Sequence, residues 1–278
     1  MLNVLNTQLF RMKKSKLFWA MFIVCAVLPL LGMALITSLV AGIGELIEED
    51  GGSGLLQMFR GEGAFVTLQA LSGGVLYDSF PAFFALITSS IFLSGEFTSG
   101  AIRNMVLANK SRTQIFLSFF SVALIIGFSY FGVWYASSLL CFGLAFGFKG
   151  ISVSAAATGC LTALLLGLLT VIFVQACVCF FLFITRKTGG TVAFPLLIIL
   201  LLPSIINGIV NGIVLVNATA GKTVSDAALS WIPMYNLSKF NATAVDGALV
   251  GKIAMYNALL AAIFAFFGWL AIDKADLK

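Results

Sequence analysis

Long apolar runs separated by short polar stretches dominate the chain, and their lengths predict membrane-crossing helices, since about 20 apolar residues span the hydrocarbon core. Six such runs are read, at residues 17–41, 78–95, 115–148, 153–185, 192–216 and 252–272. The unbroken runs exclude a barrel, whose strands would alternate in segments of about ten residues. Ahead of the first run, Leu2, Leu5 and Leu9 recur at helical spacing and are followed by Arg11, Lys13, Lys14 and Lys16. This predicts an amphipathic helix over residues 1–16 lying at the membrane surface. Pro29 is expected to kink the first span, and Pro81 fits the first turn of the second. The third run would be about 50 Å long if wholly helical, so it must tilt or project from the bilayer.

Residues 42–77 change to Gly, Ser and acid, with Glu45, Glu48, Glu49, Asp50 and Glu62, and read as an exposed loop. Residues 217–250 form a second loop, in which Trp231-Ile-Pro-Met-Tyr235 resembles an aromatic segment seated at the interface. Between the second and third spans lies a polar island, Gly95 to Arg112. It reads as a small helix with Thr98 or Ser99 at its start and Asn109 at its exit. Ser111 and Gln114 then form the Ser-x-x-Gln pattern of a capping box before Ile115. Ile102, Met105 and Val106 share one face of the small helix, while Arg103 and Lys110 share another.

Composition agrees with a single membrane domain over residues 1–278: 60% hydrophobic, 10% charged, mean hydropathy +1.08. Six spans put both termini on one side. That side would carry Arg11, Lys13, Lys14, Lys16, Arg103, Lys110, Arg112, Arg186, Lys187, Lys274 and Lys278, eleven of the sixteen basic residues. The positive-inside rule makes it cytoplasmic, and the island with it, while residues 42–77 and 217–250 fall outside. The net charge of +5 is thereby explained by topology and not by nucleic acid, because no basic groove is visible.

Little in the chain points to catalysis. Histidine is absent, which removes the usual general base and the commonest metal ligand. Gly221-Lys222-Thr223 matches the end of a phosphate-binding loop, but Val216 stands where the pattern needs its first glycine. The five cysteines lie in apolar segments and read as small hydrophobes, and Cys177-x-Cys179 lacks the spacing of a redox or zinc motif. Asn217, Asn236 and Asn241 open glycosylation-like triplets, but so does Asn109 on the opposite side. No charge sits at mid-membrane depth, where a coupled carrier would keep one. The polar residues at that depth are Gln175, Asn207 and Asn211. They line a substrate route or serve close helix packing beside the Gly208-x-x-x-Gly212 pattern; Gly143 and Gly147 repeat that pattern in the third run.

The order of basic amphipathic start, long span, outer loop, short span, Glu96-Phe-Thr-Ser-Gly100-Ala-Ile-Arg-Asn-Met-Val-Leu and Ser111-Arg112 resembles permease subunits of the second export class of ATP-binding-cassette (ABC) transporters. The terminal Asp276-Leu277-Lys278 is similar to that family's end, whereas Ser118 stands where many members carry a Lys. The resemblance implies an all-α membrane protein of six spans, with an interfacial helix and a coupling helix at residues 96–112. It also implies a second permease subunit, homo- or heterodimeric, and a separate ATPase subunit that uses ATP and Mg, with no cofactor bound by this chain. Glu96, Gly100, Ile102, Arg103, Met105, Val106 and Arg112 would serve ATPase coupling. Ile102, Met105 and Val106 would dock in the ATPase, Arg103 would pair with an acid there, and Glu96 would anchor the helix. Small members resemble exporters of antimicrobial peptides, lantibiotics or drugs in the bacterial cytoplasmic membrane. The competing expectations are a polytopic scaffold or sensor that transports nothing, and an uncoupled channel.

Overall fold

The computed structural model describes residues 2–48, 80–102, 105, 111–145, 152–201, 205, 240 and 245–273, and every regular element among them is a helix. In chain order these are α1 (Leu2–Lys14), α2 (Lys16–Glu48), α3 (Phe80–Thr98), α4 (Arg112–Ala145), α5 (Val153–Thr185), α6 (Thr188–Leu196) and α7 (Gly247–Asp273). A short π-helical segment, Leu197–Leu201, continues α6 just after Pro195. Among the described residues, five helices are long and apolar enough to cross a membrane. The fifth predicted run is represented by α6, its continuation and Ile205, and its remainder lies outside the described residues.

Local chemistry sets the ends. Ser15 forms the corner between α1 and α2: its N–H donates to the Met12 carbonyl at 3.0 Å, and its hydroxyl accepts from the Phe18 N–H at 3.4 Å. Ser111 takes the Gln114 N–H at 3.3 Å, as the Ser-x-x-Gln spacing predicts, so α4 starts at Arg112, three residues ahead of the apolar run. Ser152 caps α5 through the Ala155 N–H, and the limits of α5 are those expected. Asp246 caps α7 through the Ala248 N–H, which moves residues 247–250 from the predicted loop into the helix.

Two further boundaries differ from expectation. Residues 42–48 continue α2 instead of opening the outer loop, so Glu45 and Glu48 stand on helix. Helix resumes at Ala101, but the Thr98 and Ser99 hydroxyls do not cap it: they donate backward, to the Gly95 carbonyl at 3.0 Å and the Glu96 carbonyl at 3.4 Å. A hydroxyl can bond either way at a helix end, and here it closes α3.

α4 is the hub, touching α1, α2, α3, α5 and α7, while α7 lies chiefly along α5. α4 and α5 run antiparallel. Tyr135 donates to the Cys160 carbonyl at 2.8 Å near one end, and Phe119 meets Phe183 near the other, ring centroids 5.7 Å apart. Between these contacts the backbones approach so closely that a Cβ built on Gly167 would sit 2.0 Å from Phe131 Cζ. One on Gly127 would sit 2.5 Å from Val171 Cγ1. α5 and α7 run parallel, as the Phe264 ring meets Phe173 at a tilt and Phe180 edge-on, and Gly268 lies against the Phe180 backbone. Both therefore end on the same face of the bundle.

Two apolar clusters fill the bundle. One gathers Phe18, Cys25, Leu93, Ile115, Phe119, Ile126 and Phe183, and the other gathers Leu86, Phe131, Leu166, Phe173 and Ile253. Tyr130, fully buried, ties three helices near their junction. Its hydroxyl donates to the Phe18 carbonyl at 2.9 Å and lies 3.3 Å from Thr88 Oγ1.

Candidate functional site: the face where the helix ends meet

The C-terminal ends of α1, α3, α5 and α7 and the N-terminal ends of α2, α4 and α6 collect on one face. α3 stops at Gly100, whose φ of +71° lies in the left-handed region open to glycine and whose N–H returns to the Phe97 carbonyl at 3.2 Å. One turn earlier, Glu96 is buried at 4% exposure. A carboxylate so placed needs a partner. It finds one in Arg11 of α1, whose Nη1 lies 2.9 Å from both carboxylate oxygens. Arg11 is half-exposed, so the pair sits at the rim of the bundle with its acid inside and its base outside.

A second set of links uses hydroxyls. Ser94 donates to Thr188 Oγ1 at 2.9 Å, Ser90 donates to the Thr191 carbonyl at 3.1 Å, and the Thr185 and Thr191 hydroxyls meet at 3.1 Å. Ser90, Ser94 and Thr191 are buried. The end of α3, which leads into the island, is thus bonded to the turn joining α5 to α6. That turn is made by Arg186, which adopts a left-handed φ of 54° and gives its N–H to the Leu182 carbonyl at 2.9 Å. A third link joins α4 to α7. Arg112 donates to the Asp273 carbonyl and, at 3.4 Å, to the Ile272 carbonyl, and Trp269 Nε1 donates to Thr113 Oγ1 at 3.1 Å. The guanidinium neutralises the open carbonyls at the end of α7.

These contacts place the expected site residues. Glu96, Gly100, Ile102 and Arg112 all stand on this face. Ile102 is 4% exposed and packs into the cluster of Phe18, Ile115 and Phe119, with half-buried Met105 against the same cluster. Both therefore face this chain's own core, and Arg112 holds α7. Arg103 and Val106 lie outside the described residues, as do Asn207 and Asn211. Gln175 is wholly buried beside Gly127 between α4 and α5, and neither of its amide atoms has a hydrogen-bond partner.

Sequence reasoning left Arg11 among the general basic residues, because its partner is 85 positions away. It also passed over the hydroxyl links. Their signal was present in Ser90 and Ser94, four apart in an apolar span, and in Thr188 and Thr191 after a basic turn. Among the described residues no group of His, Cys, Asp and Glu is placed to hold a metal ion.

Stacked apolar helices with their polar ends drawn together on one face define a multi-pass α-helical membrane protein. Residues 4–204 match the family model of the ABC-2 family transporter proteins, and the chain belongs to that family. No curated protein and no solved structure gives a match to the chain.

Proposed function

We propose that this chain is the membrane-spanning permease subunit of an ABC exporter, coupling ATP hydrolysis in a separate ATPase subunit to movement of a peptide, antibiotic or other amphipathic substrate. The observation that carries the reading is the threefold tie at the mouth of the island. Glu96 to Arg11, Ser94 to Thr188 and Ile102 to the core bind the segment to α1, α6 and the bundle at once. A force applied to residues 96–112 from the aqueous side would pass into several helices together. Family membership supplies the expectation of an ATPase to apply it.

In this reading the face of gathered ends is cytosolic, as the positive-inside count favours. Arg103 and Val106 meet the ATPase, Glu96, Ile102 and Met105 seat the segment, and Gly100 sets its exit from α3. Arg112 holds α7 to the same unit. A second permease subunit completes the pathway, and ATP and Mg belong to the partner. Gln175, Asn207 and Asn211 are the polar residues assigned to the substrate path, with Gln175 closed off in the present conformation.

Because Ile102 is seated in the core, a charge there would test folding as much as coupling. Arg103→Glu with Val106→Asp is the sharper test, made on the chain reconstituted with its ATPase. Expected is normal membrane insertion with loss of both transport and permease-stimulated hydrolysis. Undiminished stimulation in that variant would sink the assignment.

A further inference from the structure

The first 44 residues carry Arg11, Lys13, Lys14 and Lys16 and no acid. Arg11 is engaged by Glu96. Lys13, Lys14 and Lys16 are exposed, and no carboxylate among the described residues pairs with them. They flank Ser15, the one non-helical residue between α1 and α2. Trp19 fixes this corner: its indole N–H donates to the Lys13 carbonyl at 2.7 Å, while 49% of the residue stays exposed. On the α1 side, Lys14 Nζ lies 4.3 Å from the centroid of the Phe10 ring, itself 58% exposed. Along α2 the outward surface continues as Ile23, Val27, Leu30 and Leu31. Three ammonium groups with no carboxylate partner among the described residues thus stand within six residues of a tryptophan that begins a strip of apolar side chains. This is the vertical order of a phospholipid: phosphate, interface, acyl chain.

We propose that the Lys13–Lys16 corner binds the phosphodiester headgroup of an anionic phospholipid, whose acyl chains lie along Trp19, Ile23 and Val27. The three ammonium groups supply the missing countercharge, and the carbonyls at the end of α1 favour cations at the same place. The indole, held by Lys13, marks the glycerol level. Since Arg11 on the same helix holds Glu96, the bound lipid also steadies the helix to which the end of α3 is tied.

Native mass spectrometry of the purified full chain, with dioleoyl phosphatidylglycerol or dioleoyl phosphatidylcholine added to the detergent, tests this directly. The wild-type chain is expected to retain phosphatidylglycerol in preference. K13Q, K14Q and K16Q should each lower that preference by roughly fivefold, the usual weight of one basic residue near an anionic surface. The triple variant should abolish it, and K13R/K14R/K16R should keep it. Lys252→Gln, beside Tyr256 at the opposite end of the bundle, should change nothing. Equal retention of the two lipids by the wild type would overturn the proposal. So would a preference surviving in the triple glutamine variant or lost with Lys252, or displacement of the lipid by soluble glycerol phosphate. The single variants keep the test decisive if the triple variant does not fold.

Discussion

α4 and α5 are joined along their middle by shape, whereas the face of helix ends is joined by polar bonds. In the first region Gly127 and Gly167 admit Val171, Gln175 and the Phe131 ring at distances no side chain would allow. In the second, the Arg11–Glu96 pair, the Ser94–Thr188 bond and the Arg112 bonds to the end of α7 link elements distant in sequence. A steric joint has no second partner to offer, so it moves as a body or not at all. A hydroxyl or ion-pair joint can exchange one polar partner for another, because each such bond is worth little net beyond the one that replaces it, provided a replacement is at hand. The bundle therefore has a rigid axis in α4–α5 and an exchangeable collar at one end.

The largest effect should come from the axis. Gly167→Leu forces a side chain onto the buried Phe131 ring and should cost about 3 kcal/mol or more, read as a fall in the thermal midpoint and in folded yield from detergent. Gly132 on α4, where an added Cβ meets nothing within 4 Å, is the control. Gly132→Ala should be neutral or stabilise by up to about 1 kcal/mol through helix propensity. Similar losses at both positions would show that close approach is not what distinguishes the axis.

In the collar, Arg11→Ala leaves Glu96 buried with its charge unmatched. A fully buried pair broken in this way loses about 3–5 kcal/mol, but solvent reaches half-exposed Arg11, so about 1–3 kcal/mol is expected. Glu96→Gln in the Arg11→Ala background should recover part of the loss, which a thermal-unfolding double-mutant cycle measures. Ser94→Ala removes one neutral bond and should cost only about 1 kcal/mol. If the collar carries force, the same change should weaken permease-stimulated ATP hydrolysis by more than its stability cost suggests. Equal transport by the wild type and Ser94→Ala would confine that bond to a structural role.

The axis and the collar were unequally legible in the sequence. Run length marked the long apolar helices, and Ser111 marked the start of α4, because caps act within three residues. The collar is made of pairs far apart in the chain: hydroxyls in apolar surroundings flag Ser94 and Thr188 as bonded groups without naming the partner, and Arg11 carries no local sign of Glu96. The face shared by Ile102 and Met105 was visible as a period, but a period does not say whether it looks inward or outward. Burial turned it inward. Glycine spacing pointed to Gly143–Gly147 and Gly208–Gly212, of which Gly147, Gly208 and Gly212 lie outside the described residues; the close approaches between α4 and α5 are at Gly127 and Gly167, which no spacing singled out. A small residue marks an interface only when a large one, here Phe131 or Val171, stands opposite.

The smallest expected effect lies where the rigid axis meets the exchangeable collar, at the turn after α5. Arg186 holds φ 54° and ψ 14°, a conformation that costs a side-chain-bearing residue about 1 kcal/mol relative to glycine. Its Nε reaches the Phe183 carbonyl at 3.5 Å, and Arg186 makes a further interaction besides. Arg186→Gly relieves the left-handed backbone but gives up these contacts, so the thermal midpoint should move by less than the equivalent of about 1 kcal/mol, while one charge leaves the basic turn. A lower midpoint would show that the guanidinium fastens the turn to the bundle. A higher midpoint with weaker ATPase stimulation would show that the strain is kept for the sake of the charge, and would place this turn beside residues 96–112 on the surface that receives the ATPase.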